Sequence, residues 1–294
     1  MRGVKRAVVV TGLIAIALVI LAARWFRINW QTVDESYQPS VPHPAFLDRH
    51  PRLAIDAAHH NMHRADWLYR PFATLAHRDG FLVESNTQPF SRQSLARFEV
   101  LVVVNALGAR WPLLPGARSP ALTRAECDAL DAWVRGGGAL LLVADHEPMG
   151  AAVRDCAARF GVDMSTGRTV DWVHFDSASG SPAWIDYRRG AGLGEHSIIR
   201  GRDSSERVEH VIAFAGQSLM GPPGSAPFLI LSDSAFDVSG QAPPRSAFGR
   251  SQGVAFRLGP AFAGRHSRVN AGAPTGGASV RGVCCLVVTH PLPP

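Results

Sequence analysis

Apolar and polar positions alternate along the first half of the chain in blocks of two different periods. Arg52–Asp56 reads as a short strand ending on a carboxylate, and residues 66–78 as a helix with Leu68, Phe72 and Leu75 on one face before Asp79-Gly80 stops it. Residues 81–84 form a second predicted strand and residues 91–97 a short helix. Residues 99–104 form a third strand, whose run Val100-Leu101-Val102-Val103-Val104 suits burial on both faces of a parallel sheet. Thr123 and Glu126 make a capping box opening a helix that carries Leu130, Trp133 and Val134, and Gly136-Gly137-Gly138 ends it. Residues 139–144 are the fourth strand, and residues 149–160 the helix after it, closed by Gly161. This alternation predicts an α/β class, a doubly wound and mostly parallel flavodoxin-like sheet with flanking helices. Later the helical period fades. Residues 171–202 are polar and glycine-rich, and residues 208–214, 228–231 and 253–258 read as strands.

The amino end follows another pattern. Arg2, Lys5 and Arg6 precede an apolar stretch over residues 7–23, interrupted by Thr11 and Gly12, and Arg24 and Arg27 follow. That reads as a signal-anchor transmembrane helix within residues 1–27, with the lipid bilayer as partner of residues 7–23. The basic flank then predicts a single-pass protein of the inner (cytoplasmic) membrane with its globular domain on the outer, periplasmic or extracellular, side. Residues 28–51, with Pro39, Pro42, Pro44 and Pro51, read as a proline-rich linker, and residues 52–259 as the α/β domain. Residues 260–294 are rich in Gly, Ala, Arg, Ser and Pro and have no period before a brief apolar run at 283–288. They read as an atypical tail, either disordered or the product of a frameshift, with few contacts to the domain.

Charge narrows the partners. The formal net charge is +6, and after Asp237 there is no acidic residue while Arg245, Arg250, Arg257, Arg265, Arg268 and Arg281 supply the whole excess. A neutral body without a basic stripe or an aromatic platform excludes nucleic acid as a partner. Lys5 is the one lysine, which excludes a lysine-bearing phosphate loop. Cys127, Cys156, Cys284 and Cys285 have no metal-ligand spacing; a Cys127–Cys156 disulfide is compatible with export but is not fixed by spacing.

Candidate chemistry gathers where two strands end. Ile55-Asp56-Ala57-Ala58-His59-His60-Asn61-Met62-His63 and Val143-Ala144-Asp145-His146-Glu147-Pro148 each run from apolar strand into carboxylate and imidazole. In open α/β sheets the crevice beyond the carboxyl ends of the strands is the usual ligand site. With the flavodoxin-like 2-1-3-4-5 strand order and a spacing of about 4.8 Å, the first and fourth loops lie roughly 10 Å apart. Asp56, His59, Asn61, His63, Asn105, Asp145 and His146 then become one ligand-binding constellation. His59, Asp145 and His146 are its catalytic candidates, and His59, His63, Asp145 and His146 the candidates for a divalent metal, the one cofactor these residue types invite. Against this, His59-x-x-x-His63 lacks the glutamate of a helical zinc signature, and Asp145 with His146 could equally cap the next helix inside a buried network. Gly216-Gln217-Ser218-Leu219-Met220-Gly221 is one residue too long for a nucleophile elbow.

Ile55-Asp56 through His59 and Asn61, Asp79-Gly80-Phe81, Leu101-Val102-Val103-Val104-Asn105, Trp133-Val134 and Gly137 through His146 together resemble an uncharacterised bacterial membrane-anchored domain-of-unknown-function family. That family has the class I glutamine amidotransferase-like, flavodoxin-like fold. The resemblance covers about residues 52–258 and implies the sheet, not an activity. Amidotransferases place a nucleophilic cysteine in Gly-x-Cys-x-Gly after a strand, where this chain has Asp145-His146-Glu147-Pro148. Glutaminase chemistry is therefore not expected. Two functions follow: an envelope domain that binds a small molecule or a partner protein, or a hydrolase-like enzyme using the Asp/His cluster, with or without metal.

Overall fold

The computed structural model describes residues 12–21, 32–240, 242–258, 280–281 and 285–288. The chain divides into two compact units, Met1–Ser36 and Tyr37–Pro294. In the first, residues 12–21 form a helix, α1, whose Leu13, Ile16 and Leu18 are exposed. The described residues of α1 span about 15 Å at 1.5 Å per residue. No helix among the described residues is long and apolar enough to cross a membrane. This corrects the expected transmembrane anchor and, with it, the single-pass inner-membrane localisation. Residues 7–11, 22 and 23 of the expected span lie outside the described residues.

The second unit opens with residues 37–51, which pack onto it rather than spacing it off. Phe46 meets Phe81 at 4.6 Å between ring centroids, Asp79 Oδ1 accepts from Ala45 N at 2.8 Å, and Arg78 donates to Gln38 Oε1 at 2.8 Å. Strands and helices then alternate: β1 (Arg52–Asp56), α2 (Arg70–Arg78), β2 (Leu82–Asn86), α3 (Arg92–Leu95), β3 (Val100–Val104), α4 (Arg124–Arg135), β4 (Ala139–Val143) and α5 (Met149–Arg159). The four strands pair in parallel in the order β2-β1-β3-β4. Both faces are covered, as the continuous apolar runs require. Leu101, Val103, Leu140 and Leu142 pack with Leu130 and Val134 of α4 and with Val153 and Ala157 of α5. Leu53, Ile55, Val102 and Val104 pack with Phe72 and Ala76 of α2. α4 starts at the Thr123/Glu126 capping box and ends where Gly137 takes φ 115°, a conformation that glycine adopts without a side-chain clash. A Cys127–Cys156 disulfide, Cα–Cα 5.3 Å, ties α4 to α5.

After α5 the pattern changes. β5 (Asp163–Met164), β6 (Arg168–Asp171), β7 (Trp184–Arg189), β8 (Gly192–Leu193), α6 (Ser197–Arg200), β9 (His210–Phe214), β10 (Leu219–Met220), β11 (Ala226–Ile230), β12 (Ala235–Val238), β13 (Arg245–Ser246) and β14 (Ser251–Phe256) follow with no crossover helix longer than four residues. Most of their pairings are antiparallel: β7 with β9, β11 with β14, β11 with β8, β10 with β14 and β5. β13-β12-β6 form a separate three-stranded sheet. The expected doubly wound, mostly parallel sheet is therefore corrected to a mixed α/β architecture with several sheets. The physical reason is local: a parallel neighbour needs a long crossover, and the glycine- and serine-rich second half supplies turns instead.

Two strands arise in the expected tail. β15 (Val280–Arg281) lies parallel to β9, and β16 (Cys285–Val288) runs parallel to β14 and antiparallel to β4. β16 thus bridges the parallel strands and the antiparallel ones inside one 13-stranded sheet. The rest of the tail lies outside the described residues.

Candidate functional site

β1, β3 and β4 end side by side, so the residues after them share the carboxyl edge of the sheet. The turn after β1 is held from within: Asn61 Oδ1 accepts from His59 N at 3.0 Å, and Asn61 Nδ2 donates to the β3 carbonyl of Val104 at 2.9 Å. His60 (φ 55°) and Asn105 (φ 50°) are left-handed at this edge, a conformation that asparagine tolerates better than most residues. Asn105 then links three strands' ends: its Oδ1 accepts from Asp145 N at 2.8 Å, and its Nδ2 lies 3.3 Å from His63 Nδ1.

His59 turns away from this edge into the core. Its Nδ1 lies 2.8 Å from Asp56 Oδ2 and its Nε2 2.8 Å from Glu126 Oε1, with Asp56 fully buried and His59 6% exposed. Glu126 is used twice over. Oε2 accepts from Thr123 N and Oγ1 to complete the α4 capping box, while Oε1 accepts from Phe90 N at 3.1 Å and meets His59. Burial alone lowers the His59 pKa, but the hydrogen bonds and charges of Asp56 and Glu126 outweigh it and raise the value above 6.5. For Glu126, burial raises the pKa, and bonds from His59, Thr123 and Phe90 reverse this to a net lowering. Both shifts favour an imidazolium–carboxylate pair between His59 and Glu126, and with Asp56 on the other ring nitrogen the arrangement is closed to outside partners. Asp56, His59 and Asn61 are thus parts of a buried network that joins β1 to α4.

The remaining candidates stay at the carboxyl edge. His63 stands 6.0 Å from the Tyr69 ring centroid, and burial lowers its pKa to about 4, so it is neutral near pH 7. Asp145 has its pKa raised by burial, partly offset by the charge and backbone N–H of His146, which donates to Oδ1 at 2.7 Å. His146 Nδ1 lies 2.7 Å from the Glu147 carbonyl, and its ring meets Phe214 at 5.8 Å, with Trp184 behind at 4.6 Å. Arg118, from the loop after β3, ion-pairs with Glu147 of the turn after β4. Asn105 and Asp145 thus share the carboxyl edge of the sheet with His63 and His146, each of whose rings meets an aromatic side chain.

The expected constellation accordingly splits in two, with Asp56, His59 and Asn61 in the buried network and His63, Asn105, Asp145 and His146 at the strand ends. Among the described residues, no group of three or more His, Cys, Asp or Glu side chains is disposed to hold a metal ion. No serine, threonine or cysteine among them hydrogen-bonds to His59, His63 or His146. Sequence reasoning missed Glu126 as the partner of His59, since the capping box already accounted for it. It also missed Phe214 and Trp184, whose strands carry no polar mark at the site.

No family model matches the chain, and no curated protein matches it. Among solved structures it is similar to the mmIFT52 N-terminal domain, with TM-score 0.50 and 12% identity over 81% of this chain and 85% of that one. At that identity the likeness is one of fold alone.

Proposed function

We propose that the second unit is a binding domain without glutaminase activity, which takes a small molecule or a partner's side chain in the crevice formed by His63, Asn105, Asp145 and His146. The observation that carries this reading is the state of His59. Both of its ring nitrogens are engaged by carboxylates at 2.8 Å, so the histidine with the best orienting partner has no free nitrogen for a substrate. The crevice keeps polar groups with unused capacity: Asp145 Oδ2, His63 Nε2 and His146 Nε2 have no hydrogen-bond partner among the described residues. Aromatic rings beside such groups suit recognition by contact and orientation. The amidotransferase-like resemblance is compatible with this reading, because the turn that would carry a nucleophilic cysteine is Asp145-His146-Glu147-Pro148 here.

The test is a metabolite panel screened against the full chain by thermal shift, followed by an ester-hydrolysis assay with p-nitrophenyl acetate. A hit that stabilises the chain and is lost in Asp145→Asn, together with hydrolysis no faster than buffer, is the expected result. Ester turnover abolished by His146→Ala would reverse the reading in favour of a hydrolase.

A further inference from the structure

A cleft of about 190 Å³ opens beside β7, the turn into β8 and the end of β11. Ile185, Tyr187 and Leu231 line it and are 1%, 1% and 2% exposed, while Ile230 stands at the rim, 40% exposed. Two carboxylates reach it. Asp186 is neutralised by Arg188, whose Nη2 is 2.8 Å away. Asp171, 1% exposed, is not. Its donors are the hydroxyls of Ser232 at 2.6 Å and Ser234 at 2.7 Å and the backbone N–H groups of Val173 at 2.9 Å and His174 at 2.8 Å. Among the described residues its one ionisable partner is His174, whose Nδ1 is 3.5 Å from Oδ2. Burial raises the Asp171 pKa, and these four bonds more than reverse it, so the group stays ionised. A buried charge is ordinarily matched by a cation, and among the described residues neither lysine nor arginine supplies one.

We propose that this cleft binds a small primary ammonium compound, its N–H donating to Asp171 Oδ2 and its compact apolar body lying on Ile185, Tyr187 and Leu231. The oxygens decide the head group. Oδ1 already accepts three bonds and Oδ2 one, so a single oxygen is open, which suits a monodentate ammonium better than the two-pronged guanidinium fork. The volume decides the body, since about 190 Å³ falls below the roughly 300–1,000 Å³ of drug-sized sites. None of His63, Asn105, Asp145 and His146 lines this cleft, and the proposal does not depend on their function.

The experiment uses the full chain with n-butylammonium chloride as probe and n-butanol as its neutral counterpart, followed by amide NMR shifts. Saturable binding in the millimolar range is expected, with shifts at Gly192, Leu231 and Ser232, and with n-butanol at least about tenfold weaker because it lacks the charge-assisted bond. Ile230→Trp, which fills the cleft from its exposed rim and leaves the Asp171 cradle untouched, should weaken binding by a similar factor while keeping the native melting curve. Should that variant not fold, the residue-resolved shifts in the unmodified chain decide the matter. Equal affinity for n-butanol, absence of shifts at those three amides, or undiminished binding to folded Ile230→Trp would each overturn the assignment.

Discussion

At the scale of single residues, His59 and His146 show how one residue type takes opposite roles at one sheet edge. His59 neutralises two buried carboxylates, so His59→Ala leaves Asp56 and Glu126 without a counter-charge. We expect a loss of about 3–5 kcal/mol in unfolding free energy by urea denaturation. His146→Ala, at the crevice, should cost less than about 1 kcal/mol in the same assay while disturbing ligand binding. The pH dependence carries a sign that can be worked out. The raised pKa of His59 contributes stability that is present below about 6.5 and lost as pH climbs through its folded value. The lowered pKa of Glu126 contributes stability that is present above about 4.5 and lost as pH falls through its folded value. The stability difference between the native chain and His59→Ala should therefore be greatest between about pH 4.5 and 6.5 and shrink on both sides. A difference that keeps growing toward pH 9 would contradict the ion-paired assignment.

At the scale of elements, the starts and stops of β1, α4, β4 and α5 were legible because each is written in neighbouring residues: a capping box, a glycine run, an apolar strand. The pairing of α4 with α5 was not, since two cysteines 29 residues apart in helices look the same whether they are bonded or merely buried. Replacing both Cys127 and Cys156 by alanine should lower stability by about 3.6 kcal/mol, the loop-closure value for a crosslink of this span. The same variant should loosen α4 at its start, where Glu126 meets His59. Hydrogen exchange that speeds up at positions 127–130 as well as in α5 would show this coupling; faster exchange confined to α5 would exclude it.

At the scale of the whole molecule, β16 completes the sheet by lying between β4 and β14. Truncation after residue 258 should expose the backbone edges of both strands and shift the protein toward aggregates in size-exclusion chromatography, since unpaired edges recruit other chains. A soluble, equally stable monomer would show that those edges need no cover. Local patterns in the sequence determined the alternation of strand and helix up to Arg159 and put carboxylates, imidazoles and Asn105 at the strand ends, because periodicity, caps and turn residues act over a few positions. Tertiary structure decided the rest. It turned His59 inward to a glutamate 67 residues away, set His146 against Phe214, made the second half antiparallel, and left Asp171 buried beside an apolar cleft. Those outcomes depend on which strands become neighbours and on which face each side chain meets another. Such long-range choices are settled by packing the whole chain and leave no mark in the spacing of nearby residues.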